Sequence, residues 1–370
     1  MLQFNYTNKD YLLKMKNTNT LLGIRDDSSK EKKDVVFIYS PPKVGSTTLV
    51  SSIRLNAAGK FDVMHLHNEI MLKALYNIHD VTILEIIYYN KFLGKNVYVI
   101  DIYRSPIEQK MSCFFENIDT FHFNTSTEIL KTYELERISK RFNQVFPHIT
   151  TNDHYRSKYN ITVPDKFDMK NKYLLVQNDG INYIKIRLHD SSEWQTILKK
   201  IFGFDIYIVN DYETTQKPIG ELFLKFKQTY TIPINLFQMI ENDPGLHYYY
   251  SVEEREKYLQ EWSKKMNSII APTFSLQDYA VYSSISQENK YMSEIQMDHY
   301  IDTGCLCLGC SRKRGILLLK LMKGEKINEK INHTESSKDY LKAKVKKMPI
   351  YIQQKVNPNI VKKNFLNAFK

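Results

Sequence analysis

Glycine, proline and cysteine are all scarce in this sequence, at 12, 11 and 4 of 370 residues. Scarce glycine and proline exclude collagen-like and low-complexity chains, and scarce cysteine excludes a small scaffold held together by disulfides. The N-terminal part lacks an apolar run of signal-peptide or membrane-spanning length, so we expect a cytoplasmic protein. The residues that are present, 42% hydrophobic and 25% charged, are ordinary for a globular fold and favour one α/β domain with extensions.

Positive charge is concentrated towards the C-terminus. The net charge is +11, but residues 311–370 hold 16 Lys and Arg against 4 Asp and Glu, so the other 310 residues are close to neutral. We therefore predict a basic tail at residues 315–370. A solvated, partly disordered tail is the default interpretation, and docking of an anionic polymer or an anionic surface is the minority one. Nucleic acid is a further anionic partner, and charge alone does not choose among the three; we expect nucleic acid least.

Short apolar runs rich in β-branched and aromatic residues alternate with helical patterns. This alternation predicts a P-loop-NTPase-like α/β fold, a parallel sheet flanked by helices with a mostly helical C-terminal part. The predicted strands are residues 34–39, 61–67, 96–103, 183–188 and 204–209. The predicted helices are residues 46–58, 70–90, 106–116, 128–146 and 194–202, with further helices between 218 and 266 broken near Pro233 and Pro244.

These patterns divide the chain into four parts. Residues 1–33 are predicted to be an N-terminal leader with local helix at most, because charges and Asn/Thr interrupt any apolar period. The α/β domain is predicted at residues 34–298. A cluster of cysteine and histidine follows at residues 299–314, and the basic tail completes the chain.

A phosphate-binding loop is predicted directly after the first strand. Residues 40–49 read Ser-Pro-Pro-Lys-Val-Gly-Ser-Thr-Thr-Leu. Gly45 allows a tight turn into a helix whose first amides lack helical partners and bind phosphate oxygens, and Lys43 adds a point charge. Hydroxyl donors follow at Ser46, Thr47 and Thr48. The pattern departs from a Walker A loop, in which the lysine directly follows the last glycine.

A second anion-binding pair is predicted after the third strand. Arg104 follows residues 96–103, and Ser112 lies two turns into the next predicted helix. Because the ends of parallel strands converge on one rim of a sheet, Arg104 is expected to face the loop around Lys43. Arginine supplies a fork of donors to phosphate, and a serine hydroxyl can add one more.

Together the two motifs resemble those of sulfotransferases that use 3′-phosphoadenosine 5′-phosphosulfate (PAPS). In that family a lysine placed like Lys43 binds the 5′-phosphosulfate and neutralises charge as sulfuryl leaves, and an arginine followed eight residues later by serine holds the 3′-phosphate. The resemblance covers about residues 34 to 215. It implies that PAPS binds the residues from Lys43 to Thr48, with Arg104 and Ser112 at the 3′-phosphate.

The acceptor and the catalytic base are also suggested by resemblance. The chain is similar to bacterial capsular polysaccharide synthesis proteins that share the Pro-Lys-Val-Gly-Ser motif, which implies a carbohydrate acceptor. Residues 63–67 resemble the strand of uronosyl 2-O-sulfotransferases that carries their catalytic histidine, and His65 is the matching position. His67 and Glu69 are close enough in sequence to serve instead. Farther along, Lys217 is interpreted as an exposed loop lysine, with a place near the nucleotide as the alternative.

Four potential zinc ligands lie within twelve residues, at His299, Cys305, Cys307 and Cys310. This number suffices for a closed tetrahedral site, and Gly304 and Gly309 would allow the tight turns. The spacing differs from paired Cys-x2-Cys knuckles, so a structural zinc ion and free reduced cysteines are both retained as interpretations, with a disulfide less favoured.

Two other functions remain open on the sequence alone. Asp101 could end a Walker B strand and hold Mg²⁺ for a kinase-like phosphotransferase that uses a nucleoside triphosphate. Alternatively, the chain could be a glycan-binding or surface-binding protein that kept the fold without the chemistry.

Overall fold

A five-stranded sheet lies at the centre of the fold. The structure is a computed structural model, and it describes residues 4, 6–25, 33–123, 125–209 and 217–287. The strands of the sheet are β1 (Asp34–Tyr39), β2 (Phe61–Leu66), β3 (Val97–Tyr103), β4 (Tyr173–Asn178) and β5 (Ile181–Arg187). They are ordered β2-β1-β3-β5-β4, and all run parallel except β4, which pairs antiparallel with β5. The predicted α/β class, with a mostly parallel sheet flanked by helices, is confirmed.

Helices connect the strands and continue after the sheet. They are α1 (Lys9–Leu22), α2 (Ser46–Ala57), α3 (Glu69–Tyr76), α4 (Ile83–Phe92), α5 (Pro106–Glu116), α6 (Thr127–Leu130), α7 (Leu135–Val145), α8 (His154–Ser157), α9 (Trp194–Phe202), α10 (Gly220–Thr229), α11 (Ile234–Glu241), α12 (Pro244–Tyr249), α13 (Val252–Ser263) and α14 (Leu276–Gln287). Two short strands, β6 (Ile232–Pro233) and β7 (Met266–Asn267), pair with each other. The prediction that the chain from 218 to 266 is mostly helical is confirmed.

The central strands are buried on both faces because helices cover both sides of the sheet. On one face, Val36 and Ile38 of β1 belong to an apolar cluster shared with α2 and α9. On the other face, Val35 and Phe37 belong to a larger cluster shared with α4 and α5. This double burial explains why the strand sequences are continuous apolar runs rather than alternating ones.

Two predicted helices are each divided in the structure. The predicted helix at 70–90 is α3 and α4, since Asn77 ends α3 in a left-handed conformation and Thr82 begins α4 with a capping box to Glu85. The predicted helix at 128–146 is likewise α6 and α7, with Glu134 as the N-cap residue of the second.

The prediction of a strand at 204–209 was wrong. This segment lies along α2, where the Val209 amide donates to Ser52 Oγ at 3.0 Å and the Tyr207 carbonyl accepts from Asn56. Its backbone therefore bonds to helix side chains instead of a neighbouring strand. The prediction missed β4, which forms a hairpin with β5 through Asp179 and Gly180.

The N-terminal segment contributes to the core. Asn8 caps α1 through its side chain, and Met15 and Leu22 are buried in the larger apolar cluster. The segment predicted as a leader therefore includes a helix of the folded domain. Within the described residues, no helix is both long and apolar enough to cross a membrane.

Candidate functional site

The loop at residues 40–45 joins β1 to α2 at the carboxyl end of the sheet. Lys43 and Gly45 both have left-handed backbone conformations, with φ of 65° and 88°. Gly45 is the N-cap residue of α2 and has no side chain, so the first amides of α2 are not capped by that residue. Such a helix start carries partial positive charge and donors directed outward, which suits an oxyanion.

The side chains around Gly45 leave no space for a Cβ atom at this position. A Cβ atom at this position would lie 2.8 Å from Leu188 Cδ1 and 3.3 Å from the Trp194 ring. The loop is therefore packed closely against the segment that follows β5.

Replacing Gly45 by alanine is expected to destabilise the fold more than the same change at Gly203. Both glycines are left-handed, so each alanine costs about 1–2 kcal/mol of backbone strain. A Cβ at Gly203 meets nothing within 4 Å, whereas the collision at Gly45 adds about 1 kcal/mol. Urea unfolding of the two variants measures the difference, and equal losses would show that the loop moves without cost.

Helix α5 holds the loop from one side. Arg104, just before α5, donates from Nη1 to the Lys43 carbonyl at 2.7 Å, and Gln109 Nε2 donates to the Pro42 carbonyl at 3.2 Å. Burial lowers the pKa of Arg104. Ser112 is buried one turn after Gln109, on the same face of α5. The structure thus brings Arg104 to the loop, as the sequence predicted, and places Ser112 on the helix face that supports it.

A carboxylate joins two lysines beside the loop. Glu116 Oε2 accepts from Lys43 Nζ at 2.8 Å and from Lys217 Nζ at 2.6 Å. Burial by itself would raise the pKa of Glu116, but the two ammonium groups outweigh it and hold the pKa below its usual value. Lys217 therefore lies in the site, which favours its alternative interpretation, and the three groups together carry a charge of +1.

The two histidines at the end of β2 have different surroundings. His65 is buried, and its Nε2 lies 2.9 Å from Ser46 Oγ at the start of α2. Burial lowers its pKa well below the usual value. His67 follows β2 at the sheet rim, and the charges of Lys43 and Glu116 both act on its pKa. The two rings pack edge to face with their centroids 4.7 Å apart.

The hydrogen bond of His67 fixes its neutral tautomer. Nδ1 lies 2.6 Å from the Ser40 carbonyl, and since a carbonyl only accepts, Nδ1 carries the proton. Nε2 of the neutral ring then has a lone pair. Burial lowers the pKa of His67 to about 4, so the ring is neutral at pH 7 and able to accept a proton.

Comparisons with protein-family models, with curated proteins and with solved structures found no match for this chain. The function must therefore be argued from the geometry around the loop.

Asp101 lies within a buried ion network behind the site. Its Oδ2 accepts from Lys185 Nζ at 2.7 Å and from the Tyr155 amide at 2.9 Å, and its Oδ1 accepts from the Ile102 amide. Lys185 also contacts Asp153 at 3.0 Å. Both Asp101 oxygens are thus engaged, and its side chain is fully buried. This carboxylate holds strands β3 and β5 together and is poorly placed for Mg²⁺.

The predicted zinc ligands His299, Cys305, Cys307 and Cys310, and the basic tail, lie outside the described residues. Among the described residues, His189, Asp190 and Glu254 bring three potential ligand atoms within 4.8 Å of one another. Arg187, however, contacts Asp190 at 2.6 Å and Glu254 at 2.6 Å. Its guanidinium neutralises the carboxylates that a cation would need.

Sequence reasoning missed Gln109 and Glu116. A signal was available, because residues 109, 112 and 116 are spaced three and four apart and so share one helix face. Ser112 lies on this face, and its polar neighbours Gln109 and Glu116 also belong to the site.

Proposed function

We propose that the protein is a PAPS-dependent sulfotransferase that moves a sulfuryl group onto a hydroxyl of a carbohydrate. The observation that carries this proposal is that Arg104 supports, through the Lys43 carbonyl, the loop that leads into the uncapped start of α2. PAPS has two separate anionic groups, a 5′-phosphosulfate and a 3′-phosphate, and needs a cationic partner for each. Lys43 would bind the first group, and Arg104 with Ser112 the second.

Two lysines and the hydroxyls at the start of α2 also suit an oxyanion. Lys43 and Lys217 both direct ammonium groups to one point, Glu116 Oε2, which shows that this place accommodates an anionic oxygen. The hydroxyls of Ser46, Thr47 and Thr48 lie in the first turn of the same helix. A phosphosulfate bound there would have amides, ammonium groups and hydroxyls as donors.

In the proposed reaction, the acceptor oxygen forms a bond to sulfur while the bond between sulfur and the bridging phosphate oxygen breaks. Adenosine 3′,5′-bisphosphate leaves, and Lys43 neutralises charge that develops on the bridging oxygen. The proton of the acceptor hydroxyl goes to a base, and we assign this role to His67 Nε2 instead of His65. Nε2 of His65 is already engaged with Ser46, whereas His67 has its tautomer fixed by Ser40, and the charge of Lys43 acts on its pKa.

Bound phosphosulfate would also improve His67 as a base. A pKa of about 4 makes a weak proton acceptor, but a nearby anion favours the protonated ring and raises its pKa towards neutrality.

The kinase alternative is less well supported. It requires a carboxylate at the end of β3 to hold Mg²⁺, and Asp101 is fully buried with Lys185 and two amides on its oxygens. A glycan-binding protein without chemistry would use the same surface, but it would have no need of a base beside the loop.

Adenosine 3′,5′-bisphosphate is expected to raise the melting temperature of the protein more than adenosine 5′-phosphate does. Only the first ligand offers a 3′-phosphate to Arg104, and a charge-assisted contact of this kind is worth about 10- to 100-fold in affinity. Arg104→Ala should therefore abolish most of the preference between the two ligands.

The comparison between ligands is needed because Arg104 also supports the Lys43 carbonyl. Loosening of the loop would weaken both ligands equally, whereas loss of the 3′-phosphate subsite weakens only one. The sulfotransferase proposal would be wrong if neither adenosine phosphate changed the melting temperature of the wild-type protein, or if only ATP with Mg²⁺ raised it.

A further inference from the structure

Glu116 occupies a position that is electrostatically unfavourable for a carboxylate in its own helix. It is the last residue of α5, where the helix dipole places partial negative charge and disfavours a carboxylate. It is nevertheless ionised, because Lys43 and Lys217 hold its pKa below the usual value although burial opposes them. The position of this carboxylate is thus explained by the two lysines and not by the helix.

The geometry of the contact is that of a bound oxyanion. A single oxygen, Oε2, accepts from Lys43 Nζ at 2.8 Å and from Lys217 Nζ at 2.6 Å. An oxygen of a sulfate or phosphate group binds two ammonium groups at the same distances. Glu116 side-chain exposure is 32%, so the carboxylate is partly accessible from solvent.

We propose that Glu116 is an anionic placeholder, whose carboxylate holds Lys43 and Lys217 until an oxyanion of the ligand displaces it. The inference deepens the proposed function, since it rests on the loop binding the phosphosulfate end of PAPS. It makes Glu116 a specificity-determining residue: a ligand must carry enough negative charge to exchange with a carboxylate. Ligands whose phosphate end is neutral or weakly charged therefore do not displace Glu116 from Lys43 and Lys217.

Removal of this carboxylate charge has two opposite consequences. In the ligand-free protein, Glu116→Gln leaves two ammonium groups without their shared anion, so the melting temperature falls. In the same variant an incoming oxyanion no longer competes with the Glu116 carboxylate, so inorganic pyrophosphate is expected to bind about three- to tenfold more tightly than to wild type. Isothermal titration calorimetry with pyrophosphate, together with melting curves, measures both.

A matched control is Glu193→Gln, which removes the same charge from an ion pair with Lys172 on the exposed surface. It should leave pyrophosphate affinity unchanged. Glu116→Asp keeps the charge, but its side chain is one methylene shorter and cannot hold both lysines as closely. We expect it to tighten pyrophosphate binding less than Glu116→Gln does. It is the variant to measure if Glu116→Gln does not fold. Unchanged or weaker pyrophosphate binding in the folded Glu116 variants overturns the proposal.

The two proposals can fail separately. In one outcome, Glu116→Gln binds pyrophosphate more tightly, but no variant binds adenosine 3′,5′-bisphosphate. That result would support the placeholder role of Glu116 and contradict the sulfotransferase proposal. In the other outcome, wild type binds adenosine 3′,5′-bisphosphate, but Glu116→Gln leaves pyrophosphate affinity unchanged. That result would support nucleotide binding at the loop and contradict the placeholder role of Glu116.

Discussion

Replacing His67 by alanine is expected to lower the rate of the proposed sulfuryl transfer by about 10²- to 10⁴-fold, the contribution of a well-placed general base. The reason is positional. Nδ1 donates to the Ser40 carbonyl, which leaves the Nε2 lone pair for the acceptor hydroxyl beside Lys43. Release of adenosine 3′,5′-bisphosphate from PAPS in the presence of a panel of polysaccharides measures the rate.

Two further readouts separate a base from a structural residue. Added imidazole should restore part of the activity of His67→Ala, because it supplies a proton acceptor to the space left by the ring. The wild-type kcat/KM should stay flat across neutral pH and fall only as the pH approaches about 4, where His67 becomes protonated. His65→Ala is the comparison: if that variant shows the loss and the imidazole rescue while His67→Ala is active, His65 is the base.

Replacing Lys185 by methionine is expected to destabilise the fold by about 3–5 kcal/mol, since it leaves a buried carboxylate without its cation. Lys185 and Asp101 are 1% and 0% exposed, and Asp153 lies on the other side of the ammonium group. Lys199→Met is the matched control, because its pair with Asp205 has the same contact distance of 3.0 Å as Lys185 with Asp153 but is exposed. That change should cost about 0–1 kcal/mol.

The loss at Lys185 should depend on pH in a defined direction. Burial raises the pKa of Asp101, and without Lys185 the pKa rises further. The folded variant then holds a proton that the unfolded chain releases, so its stability falls as pH rises between the two pKa values. Urea unfolding should show a smaller difference from wild type at about pH 5 than at about pH 8. A loss as small as that of Lys199→Met would show that the network does not stabilise the fold.

The parts of the fold that the sequence predicted are those with strong local patterns. The run at β1 and the helix at α9 were predicted with their observed limits, because a buried strand and an amphipathic helix each have a distinct period. The break between α3 and α4 was missed although Thr82 and Glu85 form a capping box, a start signal that the continuous apolar pattern around it obscured.

Other features depend on contacts between distant residues. The segment at 204–209 has the composition of a strand, but it bonds to Ser52 and Asn56 of α2 and packs Ile206 into the apolar cluster shared with that helix. Glu116 and Lys217 are 101 positions apart, so their contact with one another has no local signature. The choice between His65 and His67 depends on their tertiary contacts, Ser46 Oγ for His65 and the Ser40 carbonyl for His67. Residues two apart in an extended segment share a face, so a strand pattern gives no reason to prefer either.

The antiparallel position of β4 bears on how the sheet assembles. The hairpin of β4 and β5 needs only Asp179 and Gly180 to turn the chain, and Asn178 pairs with Ile181 directly across it. Pairing of β3 with β5 instead joins Val97 to Ile181, so a long stretch of chain must be ordered first. We expect the hairpin to close within about 1–10 μs and the parallel pairing to follow much later. We therefore expect the ion pair between Asp101 and Lys185 to form as this hairpin docks on β3, late in folding.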